Sequence, residues 1–241
     1  MLVPKEVVMT IKPVVISLGG SVLNPSPGEF DTTLIRSFAE LLREEAQRRK
    51  IIVVCGGGST ARQYITALPD DGITEGERDI IGIMATWMNA RLLSSYVRDL
   101  CSLVLPRDLD DLVRQLESFN VAICGGFLPA LKTDEDAAIA ADLLGANLLL
   151  NVTNVDGVYD ADPKVNPNAQ KIDKMTYNEF CDLVADISTG AGANAPFTLT
   201  ATRIAQRSGM KIVVLPANLD EIKQALAGEQ VGTCIGPYES K

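Results

Sequence analysis

Short apolar runs recur along the chain, and each ends in glycine or in small polar residues. The runs read PVVISL, IIVVC, VAIC and LLLNV, so apolar residues lie on both faces of each segment. This pattern predicts strands that are buried on both faces, as in a parallel sheet. The predicted strands are Pro13–Leu18, Ile51–Cys55, Val121–Cys124, Leu148–Val152, Lys211–Leu215 and Thr233–Ile235.

Segments with helical spacing of apolar residues separate these strands. In the first, Asp31 is the expected N-cap of a helix whose apolar face begins with Leu34 and Ile35. Alternating strands and helices predict an α/β fold with a parallel-rich sheet covered on both faces. The other expected helices are a short one after Ser59, one long helix over Glu75–Leu100, one near Asp134, and Thr176–Ala185, Thr198–Ser208 and Asp220–Leu226.

Two stretches in the second half of the chain carry turn signals instead. Gly157–Lys174 contains Asp162-Pro163 and Asn166-Pro167, which predict a loop or small hairpin. Gly190–Pro196, with the sequence GAGANAP, predicts a loop.

The ends of four predicted strands are the most informative feature of the pattern. Three run into glycines, at Gly19-Gly20, Gly56-Gly57-Gly58 and Gly125-Gly126, and the fourth runs into the TNVDG turn at 153–157. One such end is commonly just a tight turn. Several at one edge of a sheet would form an anion cradle, because glycine lets backbone N–H groups approach phosphate oxygens.

Composition narrows the classes of partner. The formal net charge of −9 over 241 residues argues against a duplex nucleic-acid partner, which requires a basic face. Five cysteines without a CxxC pair, in a chain with no histidine, exclude the usual zinc sites and favour a reducing, cytoplasmic location. No apolar run reaches the roughly 18 residues of a membrane span, so no membrane partner is expected. The length is compatible with one large domain over 1–241.

Two common nucleotide motifs fit the sequence poorly. Gly56, Gly58 and Ala61 match GxGxxA after a strand, but a long helix follows where the dinucleotide fingerprint requires a second strand ending in an acid. The segment from Gly126 to Thr133 is one residue short of a P-loop and has Leu131 in place of its second glycine.

The motifs taken together resemble those of the amino acid kinase superfamily and, within it, the archaeal-type uridylate (UMP) kinases. The resemblance covers nearly the whole chain, and its most specific part is TNVDGVYDADP at 153–163. The other motifs are SLGGSVL at 17–23, CGGGSTARQY at 55–64, RDIIGI at 78–83, CGGF at 124–127 and TDEDAA at 133–138.

This resemblance implies a three-layer α/β/α sandwich around a mainly parallel twisted sheet. It also implies transfer of the γ-phosphoryl group of ATP to UMP with Mg²⁺, in pyrimidine nucleotide biosynthesis, by a homo-oligomer that is usually a hexamer. The acceptor-binding part would be about 1–145 and the ATP-binding part about 146–241. No protein ligand of a metal is implied.

The resemblance also implies roles for individual residues. The residues expected at the transferring phosphoryl group are Gly20, Ser21 and Arg62. Those expected to bind ATP are Gly20, Ser21, Gly58, Arg62, Thr153, Tyr159 and Asp162. Those expected to bind UMP are Gly57, Asp79, Phe127, Leu128, Pro129, Ala130, Leu131, Lys132 and Thr133.

The sequence departs from the family pattern at several positions. Ser17 stands where many members have a lysine, and Arg203 and Thr198 stand where relatives have a lysine and an aspartate. A loop that contains Pro-Gly in relatives reads Pro129-Ala130 here. Two alternatives therefore stay open: a kinase of the same fold with another small acceptor, and a non-catalytic nucleotide-binding or storage protein.

Several of these side chains also have a purely structural interpretation. Arg62 would then be a solvated surface charge, Asp79 a residue that favours the start of its helix, and Lys132 an ordinary loop lysine. Met84, Trp87 and Met88, at helical spacing, are expected to be core or subunit contacts.

Overall fold

A computed structural model describes residues 12–161, 163, 166–188 and 196–238, with only the backbone described at 186–188. The strands are β1 (Val14–Leu18), β2 (Ile51–Cys55), β3 (Val121–Cys124), β4 (Leu148–Thr153), β5 (Val158–Tyr159), β6 (Lys171–Ile172), β7 (Lys174–Thr176), β8 (Lys211–Pro216) and β9 (Thr233–Gly236). The helices are α1 (Gly20–Leu23), α2 (Thr32–Glu45), α3 (Gly58–Thr66), α4 (Glu75–Tyr96), α5 (Leu109–Ser118), α6 (Thr133–Leu143), α7 (Tyr177–Ser188), α8 (Leu199–Ser208) and α9 (Leu219–Ala227).

The central sheet has the strand order β3-β2-β1-β4-β8-β9-β7 and is mainly parallel. Strands β3, β2, β1, β4 and β8 run in one direction, and β9 pairs with β8 in the antiparallel sense. The predicted hairpin after the TNVDG turn is the antiparallel pair β5 and β6. The predicted α/β fold class is confirmed.

Successive residues of each central strand belong to two different cores. Val14 and Ile16 pack with α2, α4 and α9 on one face, while Val15 packs with α5, α6, α7 and α8 on the other. This alternation follows from the strand period of two residues. Because both faces are covered by helices, both must be apolar, which is why the strands read as continuous apolar runs.

The caps and ends of the helices largely follow local sequence. Asp31 accepts a hydrogen bond from Leu34 N at 2.8 Å, so it is the N-cap that the sequence predicts. The long fourth helix ends at Tyr96 rather than at the predicted Leu100, because Val97 leaves helical geometry and its N–H turns back to Ser94 O. Helix α5 and strand β7 were not predicted.

Part of the predicted loop at 190–196 lies outside the described residues, as does Asp162. Within the described ranges, no helix combines the length and hydropathy needed to span a bilayer.

Candidate functional site

The four strand ends singled out in the sequence meet at one edge of the sheet. β3, β2, β1 and β4 are parallel neighbours, so their carboxyl ends, which lead into the glycines and the TNVDG turn, lie side by side. The chain winds from β1 through β2 to β3 in one direction and continues from β4 to β8 in the other. The topological switch point is thus between β1 and β4, where open α/β sheets bind their ligands.

The glycines after β1 and β2 are packed directly against each other. A Cβ at Gly56 would lie 2.5 Å from Gly20 N, and a Cβ at Gly58 would lie 2.5 Å from Gly20 O. Gly58 also has a φ of +64°, a conformation that favours glycine. Backbone therefore meets backbone at this point, and no larger residue fits at Gly20 or Gly58 without a shift of the chain.

The ends of β1 and β2 pass into short helices rather than into extended loops. Only Gly19 separates β1 from α1. Gly20 and Ser21, which were expected at the transferring phosphoryl group, already belong to that helix. Gly57 is the N-cap of α3, which begins at Gly58. In this first turn the N–H groups of Ser59 and Thr60 donate to Asn24, and those of Gly57 and Gly58, which have no acceptor among the described residues, remain available to an anion.

Arg62 lies on α3 and is exposed. No ion pair in the described part of the chain involves the guanidinium of Arg62 or the ammonium of Lys132. Both cations are therefore available to an anionic ligand.

Asn24 braces the two glycine turns and was not predicted. Its side chain is fully buried; its amide donates to Glu29 O at 2.8 Å, and its Oδ1 accepts from Thr60 N at 2.9 Å and from the Ser59 hydroxyl. Asn24 thus fixes the first turn of α3 against the end of α1. No local sequence signal marks it, because its main partners lie 35 and 36 residues away.

Asp79, near the start of α4, contacts the segment predicted to bind UMP. We call residues 127–133 the acceptor loop. The Asp79 Oδ2 accepts a hydrogen bond from Ala130 N at 2.7 Å. Ala130 has a φ of +67° and is the one non-glycine residue with positive φ in the described ranges. The structure thus brings together Asp79 and this loop, both of which the resemblance assigns to UMP.

The side chains of the acceptor loop differ in exposure. Phe127, Leu131 and Thr133 are half-buried, and Leu128, Pro129, Ala130 and Lys132 are exposed. Lys132 precedes α6, and its N–H donates to the Glu135 carboxylate at 2.7 Å. Thr133 is the first residue of α6. The loop therefore runs from the end of β3 directly into that helix.

Glycines at the end of β3 are held by side chains from α4. Gly126 N donates to Thr86 Oγ1 at 2.8 Å, and the indole Nε1 of Trp87 donates to Gly126 O at 2.8 Å. Arg107 lies 4.7 Å from the centre of the Trp87 ring. Trp87 is therefore half-buried against Gly126, the residue before the acceptor loop, whereas Met84 and Met88 are exposed on the same helix and do not belong to the core.

Two acidic residues at the start of α6 have raised pKa values. Burial, opposed by a hydrogen bond from Thr198 N, raises the pKa of the Asp134 carboxyl. Burial also raises the pKa of Asp136 to about 7, opposed by the N–H of Phe127 and helped by the charges of Glu135 and Asp134. Carboxyls of this kind next to a candidate site are a common functional signal.

Three of the residues predicted to bind ATP lie on the β4 side of the switch point, and the structure describes two of them. Thr153 is half-buried at the end of β4, and its hydroxyl contacts Asn154 Oδ1 at 3.3 Å. Tyr159 is half-buried on β5 and donates its hydroxyl to Asp156 at 3.0 Å, an interaction that raises the pKa of the tyrosine. Asp162 is not among the described residues.

Comparison with known proteins tests the family resemblance that the sequence motifs indicated. The model of the amino acid kinase family matches residues 12–216. The chain belongs to the amino acid kinase family. Its relatives include a uridylate kinase from Archaeoglobus fulgidus, 38% identical over 92% of this chain and 99% of that protein, and one from Haloquadratum walsbyi, 39% identical over 95% of each.

Solved structures agree with the amino acid kinase fold. The crystal structure of uridylate kinase from Archaeoglobus fulgidus matches with a TM-score of 0.82 at 37% identity, over 92% of this chain and 99% of that chain. The structure of UMP kinase from Bacillus anthracis matches with a TM-score of 0.76 at 21% identity, which bears on the fold alone.

Proposed function

We propose that this protein is a uridylate kinase that transfers the γ-phosphoryl group of ATP to UMP and forms UDP and ADP. The observation that carries the proposal is the glycine-lined edge formed by the ends of β1, β2, β3 and β4. The uridylate kinases related to this chain along nearly its whole length support this choice of acceptor.

The geometry suits phosphoryl transfer because this reaction requires alignment and charge neutralisation rather than a protein nucleophile. We assign Gly20, Ser21 and Arg62 to the transferring phosphoryl group. Gly58 and Arg62 would hold the ATP phosphates, and Gly57 the UMP phosphate. The N–H groups of Gly57 and Gly58 at the start of α3, and the guanidinium of Arg62, which makes no ion pair within the described residues, supply positive potential for two adjacent anions.

Each substrate is assigned to one part of the domain. Residues 1–145 contain Asp79 and the acceptor loop, and we assign them to UMP. Residues 146–241 contain Thr153, Tyr159 and Asp162, and we assign them to the nucleoside part of ATP.

Mg²⁺ is proposed as the cofactor. The described residues contain no group of three or more Cys, Asp or Glu side chains that could hold a metal ion, and the chain has no histidine. The ion would therefore be bound mainly by phosphate oxygens of the nucleotide, a common arrangement for Mg²⁺, and would neutralise their charge.

A coupled assay of ADP release tests the function and its alternatives together. The acceptors are UMP, CMP, isopentenyl phosphate and acidic amino acids, each with Mg²⁺ and with a chelator. We expect Mg²⁺-dependent turnover that prefers UMP to CMP. Preference for another acceptor would indicate a different kinase of this fold, and nucleotide binding without turnover would indicate a storage or regulatory protein.

We further propose a homo-oligomer, as the family resemblance implies. Ile80, Met84 and Met88 recur every four residues on α4 and are 49%, 58% and 59% exposed, so they form one apolar stripe. Such a stripe on a surface helix is typical of an interface between protein chains. Light scattering of the wild type and of Met84→Glu should give a hexamer and a smaller species; a monomeric wild type would contradict the proposal.

The cytoplasm is proposed as the location. All five cysteines are free and buried, as is usual in a reducing compartment.

A further inference from the structure

The acceptor loop is attached at its start by a residue that the proposed reaction does not use. Phe127 N donates a hydrogen bond to the Asp136 Oδ2 at 3.2 Å. Asp136 lies on α6, on the opposite side of the loop start from Thr86 and Trp87 of α4, which hold Gly126. The start of the loop is thus held by side chains of two helices, by α4 at Gly126 and by α6 at Phe127.

Asp136 is an unusual residue for its position. Its side chain is 2% exposed, and it is followed on α6 by the fully buried Ala137 and Ala138. Among the described residues, no cation pairs with it, and its carboxylate accepts a hydrogen bond only from Phe127. A buried carboxylate without a cation is destabilising, and an apolar residue would pack at this site more favourably.

We propose that Asp136 is a positioning residue for the acceptor: its carboxylate fixes Phe127 through a hydrogen bond that is strongest when the carboxylate is ionised. A hydrogen bond to an ionised acceptor is roughly twice as strong as a neutral one. The inference rests on the proposed function, because the role of this loop in UMP binding is part of that proposal.

The electrostatic environment of Asp136 places its ionisation near neutral pH. Burial is the main cause of the increase of its pKa to about 7, and the carboxyls of Glu135 and Asp134 on the same helix add to it. The thiol of Cys124, on β3, also faces Asp136, but burial raises the pKa of that thiol well above its usual value. Since the chain contains no histidine, a transition near pH 7 in the ligand-free protein has few other sources.

Trp87 provides a direct measurement of the loop start. It is the one tryptophan of the chain, and its indole N–H donates to Gly126 O, next to Phe127. We expect the fluorescence of the ligand-free protein to show a transition with a midpoint near the Asp136 pKa of about 7. Asp136→Asn keeps an oxygen that can accept from Phe127 N but cannot ionise, so its fluorescence should stay constant over this range.

Asp142→Asn is the matched control. Asp142 is also on α6 but pairs with Arg207, away from the acceptor loop. This variant should keep the wild-type transition. A flat titration of the wild type, or a transition that persists in Asp136→Asn, would overturn the proposal. Because this measurement needs no substrate, it decides the inference even if UMP proves not to be the acceptor.

Kinetic measurements at pH 8 distinguish a positioning role of Asp136 from a merely structural one. There we expect Asp136→Asn to raise the KM for UMP by about threefold, the difference between a charged and a neutral hydrogen bond. The KM for ATP should change by less than twofold. Asp136→Leu, which removes the acceptor oxygen, should raise the KM for UMP further. Equal changes in both KM values would identify Asp136 as a merely structural residue and overturn the proposal.

Discussion

Asp79 offers the sharpest test of how the acceptor is recognised. Its Oδ2 already accepts from Ala130 N at 2.7 Å, and we propose that the carboxylate also accepts from the ribose hydroxyls of UMP. The substitution Asp79→Asn separates these two roles. The amide oxygen can still accept from Ala130 N, so the loop keeps its attachment, but the negative charge is lost.

The expected magnitude follows from the strength of charge-assisted hydrogen bonds. A hydrogen bond to a charged group contributes about 1.5–3 kcal/mol, against about 1 kcal/mol for a neutral one. The loss of two such contacts therefore corresponds to a rise in the KM for UMP of about tenfold or more, at 1.4 kcal/mol per decade. The KM for ATP should be nearly unchanged. Asp79→Ala should have a larger effect, because it also releases Ala130.

The decisive measurement is the ratio of kcat/KM for UMP to that for deoxy-UMP. We expect the wild type to prefer UMP and Asp79→Asn to lose most of this preference. Glu75→Gln is the matched control, since it removes a charge of the same sign from the start of the same helix at a side chain that is 91% exposed. A ratio near one in the wild type, or an unchanged ratio in Asp79→Asn, would refute the ribose contact.

Three further predictions concern other parts of the site. Arg62→Ala should raise the KM for ATP and slow transfer while its free energy of unfolding, from urea denaturation, stays within about 0.5 kcal/mol of the wild type; unchanged kinetics would make Arg62 a solvated charge. Ala130→Gly should stabilise the protein by about 0.5–1 kcal/mol, because the φ of +67° is strained for alanine, and calorimetry should show a Tm increase of about 2 °C. The Asp136 pKa of about 7 means that the folded state holds this proton more tightly than the unfolded state, so stability falls as the pH rises from about 4 to 7. Denaturation at several pH values should show that this fall is smaller in Asp136→Asn.

The strands and the edge that they form follow from local sequence. Burial on both faces requires uninterrupted apolar residues, so β2 and β3 have the predicted bounds. β7 was missed because it is a three-residue edge strand whose pairing depends on β9, far along the chain. α5 carried a readable signal, since Asp108 is its N-cap and Leu109, Leu112 and Leu116 have helical spacing.

The contacts that brace the site were harder to predict. Family resemblance assigned both Asp79 and the acceptor loop to UMP, and the hydrogen bond from Ala130 N shows that the two are in contact. Asn24 and Asp136 were missed because each acts on a segment that folding brings close. In the sequence, Asp136 looks like one of three acids that favour the start of α6. Only its burial distinguishes it from a solvated helix residue.

The way in which the acceptor loop is held explains how its sequence can depart from the family pattern. Asp136 and Asp79 bind the N–H groups of Phe127 and Ala130, and Glu135 binds the N–H of Lys132. Any residue except proline supplies such an N–H, so the exposed side chains of the loop can change without loss of its attachment. Ala130 is the exception, because its positive φ is strained in every residue with a Cβ. The alanine at this position, where the family resemblance implies a glycine, therefore affects the stability of the loop through its strained backbone.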